Sequence, residues 1–287
     1  MHKSRDYYIT PFFFFLIVCT TSSLFAQVSF RPTMIFVSEN QRIQDITIVS
    51  QSDSLQEVAF SSNFGFPVHT KEEGLHISEG RQQDRFLYDL TPYVRVFPEK
   101  IFLAPGQRQI VRLQVQNSPQ FESGTYWTRL SIKSQTTSPE AQDNLVPTGR
   151  QSTNINLVVR QNIGVFYKHG EVNTSLQLLE LVTRQENSVL HVDPLLKRNG
   201  NSPYIGSLEV QLFSAVGELV SQSSIITSVF FETLTPLRLN VADLETGRYR
   251  LVLRFTTSRG DATSARLIQS EPFEIEEYVT INNVEGG

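Results

Sequence analysis

Side chains able to support catalysis or to bind a metal are few in this chain and widely spaced. The sequence contains one cysteine, Cys19, and five histidines, and no two histidines have the HExxH spacing of a zinc site. The pair His191-x-Asp193 is by itself too small a donor set for a metal ion. We therefore expect no metal site at the histidines, which are His2, His69, His76, His169 and His191.

Motifs for nucleophilic or nucleotide chemistry are missing from the sequence as well. It contains no G-x-S-x-G turn for a serine nucleophile, no phosphate-binding loop and no dinucleotide fingerprint. The adjacent acids Glu72-Glu73 and Glu276-Glu277 are typical of solvated surfaces rather than of acid–base pairs. The prediction is a protein that is not an enzyme and that uses no cofactor.

Composition and charge narrow the class of partner. The hydrophobic fraction of 39% and the charged fraction of 19% are ordinary for a globular protein. The formal net charge is −4 and no basic stripe is present, which argues against a nucleic-acid partner. Binding of another protein is the function class that these numbers leave open.

The N-terminal segment has the parts of a secretory signal. His2, Lys3 and Arg5 precede the apolar run PFFFFLIVC, and small or polar residues lead from it to Ala26-Gln27. The apolar run is too short to span a bilayer as a helix. We expect a signal peptide over residues 1–26 and an exported mature chain. Removal of the signal would take away Cys19, so the mature chain could form no internal disulfide.

Short runs of alternating or β-branched residues recur along the rest of the chain, whereas a sustained helical period is absent. Turn residues separate the runs, a pattern typical of a β-sandwich or barrel. The sequence therefore predicts an all-β fold. The runs are Ile46–Val49, Glu57–Phe60, Tyr93–Val96, Ile110–Val115, Tyr126–Ile132, Ile155–Val159, Leu176–Val182, Leu208–Phe213, Tyr249–Phe255 and Phe273–Ile275.

A weak internal repeat predicts two domains. The segment ESGTYWTRLSI at 122–132 resembles ETGRYRLVLRF at 245–255, and each has glycine, a spacer, tyrosine and then alternating apolar residues. In β-sandwiches a tyrosine near the start of a late strand commonly bonds back to the preceding corner. We expect two tandem sandwiches, over residues 27–168 and 169–287, with the junction near Lys168.

The order of several motifs resembles that of periplasmic pilus-assembly chaperones. A turn at Pro105-Gly106 is followed by a strand and then by the G-x-Y strand of the first repeat, and a long loop and a further strand come next. The resemblance implies two immunoglobulin-like domains in a boomerang arrangement, a periplasmic location and a role in fimbrium biogenesis. The residues that carry it are Pro98, Pro105-Gly106, Val111-Arg112-Leu113, Gly124, Tyr126, Ile155–Val159, Val165–Lys168 and Asn201-Ser202-Pro203-Tyr204.

The resemblance also implies a mode of binding. Chaperones of this family offer alternate apolar side chains of one strand to a fimbrial or surface subunit that lacks its own last strand, and they deliver the subunit to an outer-membrane usher. In this chain the corresponding residues are Ile155, Leu157 and Val159, which share one face of a strand. Two further alternatives stay open: these residues face the core of their own domain, or their exposed edge mediates self-association.

The chain departs from the family at the group that holds the carboxylate of the client. Family members use an arginine on the first strand and a lysine on the donor strand, but these positions correspond to Met34 and Gly164 here. The nearby cations Arg31 and Arg160 are candidates for the missing anchor. An alternative function is therefore an exported structural or adhesive protein of a surface appendage that captures no client.

Overall fold

The computed structural model describes residues 27–137 and 157–282, and these residues form two β-sandwiches. The predicted all-β class with two tandem sandwiches is confirmed. Within the described ranges the only α-helix is α1, Gln82–Tyr88, and short 3-10 turns lie at Thr91–Tyr93 and Ser264–Arg266. The predicted signal peptide, residues 1–26, lies outside the described residues, as does Ile155.

The first sandwich consists of two sheets, with strand orders β1-β3-β9-β7 and β2-β11-β10-β4-β8. A separate hairpin, β5–β6, precedes α1 between β4 and β7. The strands are β1 (Val28–Arg31), β2 (Met34–Ser38), β3 (Ile43–Ser50), β4 (Gln56–Asn63), β5 (Phe66–Thr70), β6 (Gly74–Ser78), β7 (Val94–Phe97), β8 (Lys100–Leu103), β9 (Arg108–Val115), β10 (Gly124–Thr136) and β11 (Val158–His169).

The second sandwich also has two sheets, one formed by β12, β13, β16 and β17 and one with the order β15-β14-β18-β19. Alternation of buried apolar and exposed polar residues along most strands places one face of each sheet in the core, as expected for packed sheets. The strands are β12 (Thr174–Glu186), β13 (Val189–Gly200), β14 (Tyr204–Phe213), β15 (Leu219–Val229), β16 (Glu232–Leu234), β17 (Leu237–Asn240), β18 (Gly247–Thr256) and β19 (Phe273–Ile281).

The chain changes sheets between β1 and β2. β1 pairs antiparallel with β3 in one sheet, and after Pro32 and Thr33 the chain continues as β2 in the opposite sheet, where it pairs parallel with β11. Proline has no backbone N–H to contribute to a ladder, so it suits this crossing point. Because β2 starts only at Met34, it covers only part of the edge of β11.

Each G-x-Y strand forms the tyrosine corner that the repeat predicts. The backbone N–H of Glu122 donates to the hydroxyl of Tyr126 at 2.7 Å, and this hydroxyl lies 3.3 Å from the carbonyl oxygen of Glu122. In the second sandwich the hydroxyl of Tyr249 donates to the carbonyl oxygen of Glu245 at 2.9 Å. These bonds fix the loop before β10 and the loop before β18 against their own strands.

Replacement of Tyr126 or Tyr249 with phenylalanine should lower the free energy of unfolding by about 1 kcal/mol, the net value of a typical hydrogen bond. Differential scanning calorimetry would measure the change. Tyr278→Phe is the matched control, because Tyr278 is 58% exposed and lies outside both corners. A loss as large in the control as in Tyr249→Phe would contradict a specific role of the corners.

The two sandwiches meet at an aromatic cluster. Trp127 on β10 is 1% exposed, and its ring centroid lies 4.8 Å from that of Tyr88 and 5.0 Å from that of Phe230. Phe66 on β5 stacks on Phe230 at 5.3 Å, so the β5–β6 hairpin and α1 contribute to the same cluster. Burial of these large rings holds the domains together through apolar area.

A polar turn of the second sandwich contributes to the same interface. The side-chain amide of Asn201 donates to the carbonyl oxygens of Ser123 at 3.0 Å and Glu171 at 2.8 Å. The backbone N–H of Thr125 donates to the carbonyl oxygen of Asn201 at 3.1 Å, and the Thr125 and Ser202 hydroxyls lie 2.7 Å apart. The Asn201-Ser202-Pro203-Tyr204 motif therefore joins the two domains.

Candidate functional site

The first half of β11 presents an edge that no described strand covers. Residues 158–163 pair with β10 on one side, from Val158 opposite Gln135 to Ile163 opposite Leu130. On the other side the pairing with β2 begins only at Gly164, opposite Met34. The backbone N–H and C=O groups that point away from β10 between Val158 and Ile163 are thus available to another strand.

The side chains of this half-strand form two rows. Ile163 is fully buried in the core of the first sandwich, and Val159 belongs to the same row by strand alternation. Leu157 directly precedes β11 and continues this row if the alternation extends by one residue. Leu157 is 51% exposed and Val159 is partly exposed, so the core of the domain covers only the far end of this row. Gln161 lies between Val159 and Ile163 and makes the row partly polar.

Polar groups line the sandwich interior near the open end of β11. Val159 lies opposite Ser134, which is 2% exposed, and Gln56 is fully buried nearby on β4. The side-chain amide of Gln27 donates to the carbonyl oxygen of Leu157 at 3.3 Å. Val58, the partner of Ser134 on β4, is fully buried on the same face, so Val159 has both polar and apolar neighbours within its own domain.

The two positions at which the sequence resemblance implied a cation, Met34 and Gly164, are direct neighbours. Met34 and Gly164 are paired residues of the parallel β2–β11 ladder. A Cβ atom on Gly164 would lie 2.8 Å from an edge carbon of the Phe166 ring, which is closer than side chains tolerate. Phe166 in turn stacks on Phe36 with the centroids 5.0 Å apart. The ring of Phe166 therefore occupies the space that a side chain at position 164 would need.

Neither of the two arginines suggested from the sequence lies beside this pair. Arg31 is exposed at the end of β1 and lines a shallow depression with Thr47 and Arg108 on the outer face of the other sheet. Arg160 is exposed on β11, on the row opposite to Leu157. Neither residue contributes to the cavity that Met34 and Gly164 line.

A cavity of about 260 Å³ lies where the free edge of β11 reaches the second sandwich. Side chains of both domains form its walls, and they are mostly apolar. Arg129 on β10 is its one described cationic side chain without a hydrogen-bonding or ionic partner among the described residues. The lining residues that matter here are Met34, Ile77, Arg129, Asn162, Gly164 and Phe230.

Arg129 carries an incompletely solvated charge. It is the cross-strand partner of Gly164 on β10, and partial burial lowers the pKa of its guanidinium group through desolvation alone. Arginine nevertheless stays protonated in proteins, so the cavity contains a fixed positive charge. An anion that entered the cavity would recover part of the solvation that Arg129 has lost.

The other cations near the interface already have partners. Arg259, also in the cavity wall, contacts Asp261 at 2.7 Å and donates to the Ser228 hydroxyl at 2.9 Å. The guanidinium group of Arg259 lowers the pKa of Asp261. The ammonium group of Lys168 donates to the carbonyl oxygen of Arg266. The cavity charge available to a ligand is therefore that of Arg129.

Sequence patterns did not single out Arg129. The residue stands at an ordinary alternate position of a strand, and only the β10–β11 register places it beside Gly164. A usable signal was the antiparallel pairing of the G-x-Y strand with the last strand of the first domain, which brings Arg129 beside Gly164, a position at which the resemblance implied a cation. A search of neighbouring strands for a displaced cation would have found it.

Comparisons with known proteins give a likeness of structure only. No family model matches the chain, and no curated protein matches it. Among solved structures, the YadV chaperone has a TM-score of 0.45 at 8% identity, covering 88% of this chain and 100% of that one. The CsuC–CsuE chaperone–tip adhesion subunit complex of Acinetobacter baumannii has a TM-score of 0.44 at 12% identity, covering 91% and 100%. The class 5 fimbriae chaperone CfaA has a TM-score of 0.45 at 13% identity, covering 88% and 98%.

No helix within ranges 27–137 and 157–282 is long and apolar enough to cross a membrane. No group of three or more histidine, cysteine or acidic residues in the same ranges is arranged to hold a metal ion.

Proposed function

We propose that the protein is a periplasmic chaperone that binds fimbrial or surface subunits by adding the free edge of β11 to the subunit. The observation that carries the proposal is the gap between the two pairings of β11, which leaves residues 158–163 bonded on one side only among the residues that the structure describes. An exposed strand edge is normally shielded or paired, so its persistence in a folded domain indicates a partner that completes it.

Main-chain hydrogen bonds and apolar contacts have separate tasks in this mode of binding. The backbone groups of Val158–Ile163 provide affinity for any extended strand of suitable length. The exposed side chains of Leu157 and Val159, together with Ile155 from the sequence prediction, would fill the groove of a subunit that lacks its own strand. Burial of an aliphatic side chain of this size contributes about 1.5–3 kcal/mol.

Arg129 supports a specific direction for the bound strand. A strand on the free edge would run in line with β2, and its end nearest Met34 would lie at the cavity. If it runs parallel to β11, that end is its C-terminus, and the terminal carboxylate meets the guanidinium group of Arg129. In the opposite direction, the end at the cavity is the one that continues into the body of the subunit, so no terminal carboxylate reaches the guanidinium group. Arg129 then takes the place of the anchor missing at Met34 and Gly164.

Co-expression with the exported proteins encoded beside this chain tests the proposal. A tagged chaperone should co-purify from the periplasm with one of them in stoichiometric amount, and the complex should persist through size exclusion. The competing function, an exported structural or adhesive protein of a surface appendage, predicts no such complex. In that case the purified protein would be found alone or assembled with copies of itself.

Export is a separate prediction of the proposal. The basic flank and apolar run before Ala26 should direct cleavage near Gln27, since these are the parts of a secretory signal. Mass spectrometry of the protein recovered from its native cell would identify the mature N-terminus. Recovery of the chain from the cytoplasm with Met1 intact would contradict a periplasmic role.

A further inference from the structure

The β5–β6 hairpin exposes apolar side chains although its position is fixed. On β6, Leu75 is 73% exposed and Ile77 is 44% exposed, and the two share one face because strand side chains alternate. The hairpin is anchored from its other strand: Phe66 belongs to the interdomain aromatic cluster, and the backbone N–H of His69 donates to the hydroxyl of Thr233 at 2.8 Å. Leu75 and Ile77 are therefore exposed on a hairpin whose position is fixed by contacts with both domains.

The outer edge of β6 lacks the charge, proline and bulge that commonly protect an edge against strand addition. Within the described ranges its sheet contains only β5 and β6, so the far side of Gly74–Ser78 is unpaired. Natural edge strands are commonly protected by lysine, proline, a bulge or an inward charge. The sequence of β6, GLHIS, contains no lysine, proline or acidic residue, and its pairing with β5 runs without a register shift.

The exposed face of β6 is continuous with the end of the free β11 edge. Ile77 lines the same interdomain cavity as Met34, Asn162 and Gly164. A subunit whose strand ends in this cavity would bring its neighbouring surface next to Ile77. Leu75, two residues along the strand, extends the apolar face away from the cavity.

We propose that the β5–β6 hairpin is a second contact surface for the subunit that occupies the β11 edge, and that it takes an uncharged, apolar part of the body of that subunit. The inference rests on the proposed function. The inference goes beyond the proposed function because it assigns part of the affinity for the subunit to the β5–β6 hairpin, which lies outside the two sheets of the first sandwich. Continuity with the cavity favours the docked subunit as the occupant over an unrelated protein or a second copy of the chain.

The test uses the full mature chain with the double change Leu75→Ser and Ile77→Ser, and the probe is the subunit that co-purifies with the wild-type protein. Because both side chains are exposed, the melting temperature should stay unchanged. The affinity for the subunit, measured by calorimetric titration, should fall about tenfold or more, which corresponds to the loss of about 1.4 kcal/mol or more. The matched control is Val216→Ser, which removes an 88% exposed apolar residue from the turn between β14 and β15.

The outcomes separate this inference from the function on which it rests. Equal affinities of the double variant and the wild type would overturn the hairpin contact and leave the β11 edge intact. If the double variant changes its oligomeric state but keeps its affinity for the subunit, the hairpin is a contact between two copies of this chain. That result would also overturn the hairpin as a contact for the subunit. If the wild-type chain captures no subunit, both proposals fall together.

Discussion

Truncation of Leu157 and Val159 to alanine is expected to abolish subunit capture while leaving the fold intact. Leu157 is 51% exposed and Val159 is partly exposed, so neither is a principal part of the core in the free protein. In a complex each truncation would remove about 1.5–3 kcal/mol of apolar burial, enough together to lower the affinity more than a hundredfold. Melting temperature and co-purification should be measured on the same double variant.

A matched control lies on the same strand. Val158 is 48% exposed and belongs to the opposite row, so Val158→Ala should retain capture. The alternative in which Leu157 and Val159 serve their own core predicts a lower melting temperature of the double variant, with binding lost only through unfolding. A well-folded double variant that captures the subunit as strongly as the wild type would end the donor-strand interpretation.

Replacement of Arg129 with glutamine should weaken capture without destabilising the fold. The guanidinium group is partly desolvated and unpaired among the described residues, so its removal costs the free protein little. In the complex, loss of one partner of a desolvated charge pair costs about 2–5 kcal/mol, which is roughly thirtyfold or more in affinity. Arg160→Gln, an exposed arginine on β11 outside the cavity, is the matched control.

The source of the carboxylate can be established with peptides of the last strand of the captured subunit. The wild-type chaperone should bind the peptide with a free C-terminal carboxylate more tightly than the same peptide with a C-terminal amide, and Arg129→Gln should remove the difference. A second change in that variant, Met34→Arg, would return a cation to the cavity wall and should restore part of the preference. Equal binding of acid and amide by the wild type would refute the anchoring role of Arg129.

Local patterns were sufficient to predict the architecture. A tyrosine that bonds to its own corner lies only four residues from its partner, so the G-x-Y repeat carries this information within one short segment. Period-two alternation likewise predicted strands at Tyr93–Val96 and Ile110–Val115, and the structure has β7 over Val94–Phe97 and β9 over Arg108–Val115. The β5–β6 hairpin and α1 were not predicted, because their short runs have no sustained period.

The candidate site depends on the long-range register of the strands, which the sequence does not display. The free edge of β11 exists because β1 pairs with β3 and the chain changes sheets before Met34. The role of Arg129 follows from its pairing with Gly164, thirty-five positions along the chain in a different strand. A shift of one residue in either ladder would turn Arg129 or Gly164 to the opposite face. Strand patterns alone therefore predicted Ile155, Leu157 and Val159 as one row and suggested Arg31 or Arg160 as the cation, but they gave no indication of Arg129.

The most direct test of the account is hydrogen–deuterium exchange along β11 in the free chaperone and in its complex with the co-purified subunit. In the free protein, the amides of 158–163 that point away from β10 should exchange quickly, whereas those of 164–168, paired on both sides, should be slow in both states. On complex formation the amides of 158–163 should become protected, because the strand of the subunit accepts their hydrogen bonds. Unchanged exchange over 158–163 in a stoichiometric complex would contradict strand addition at this edge.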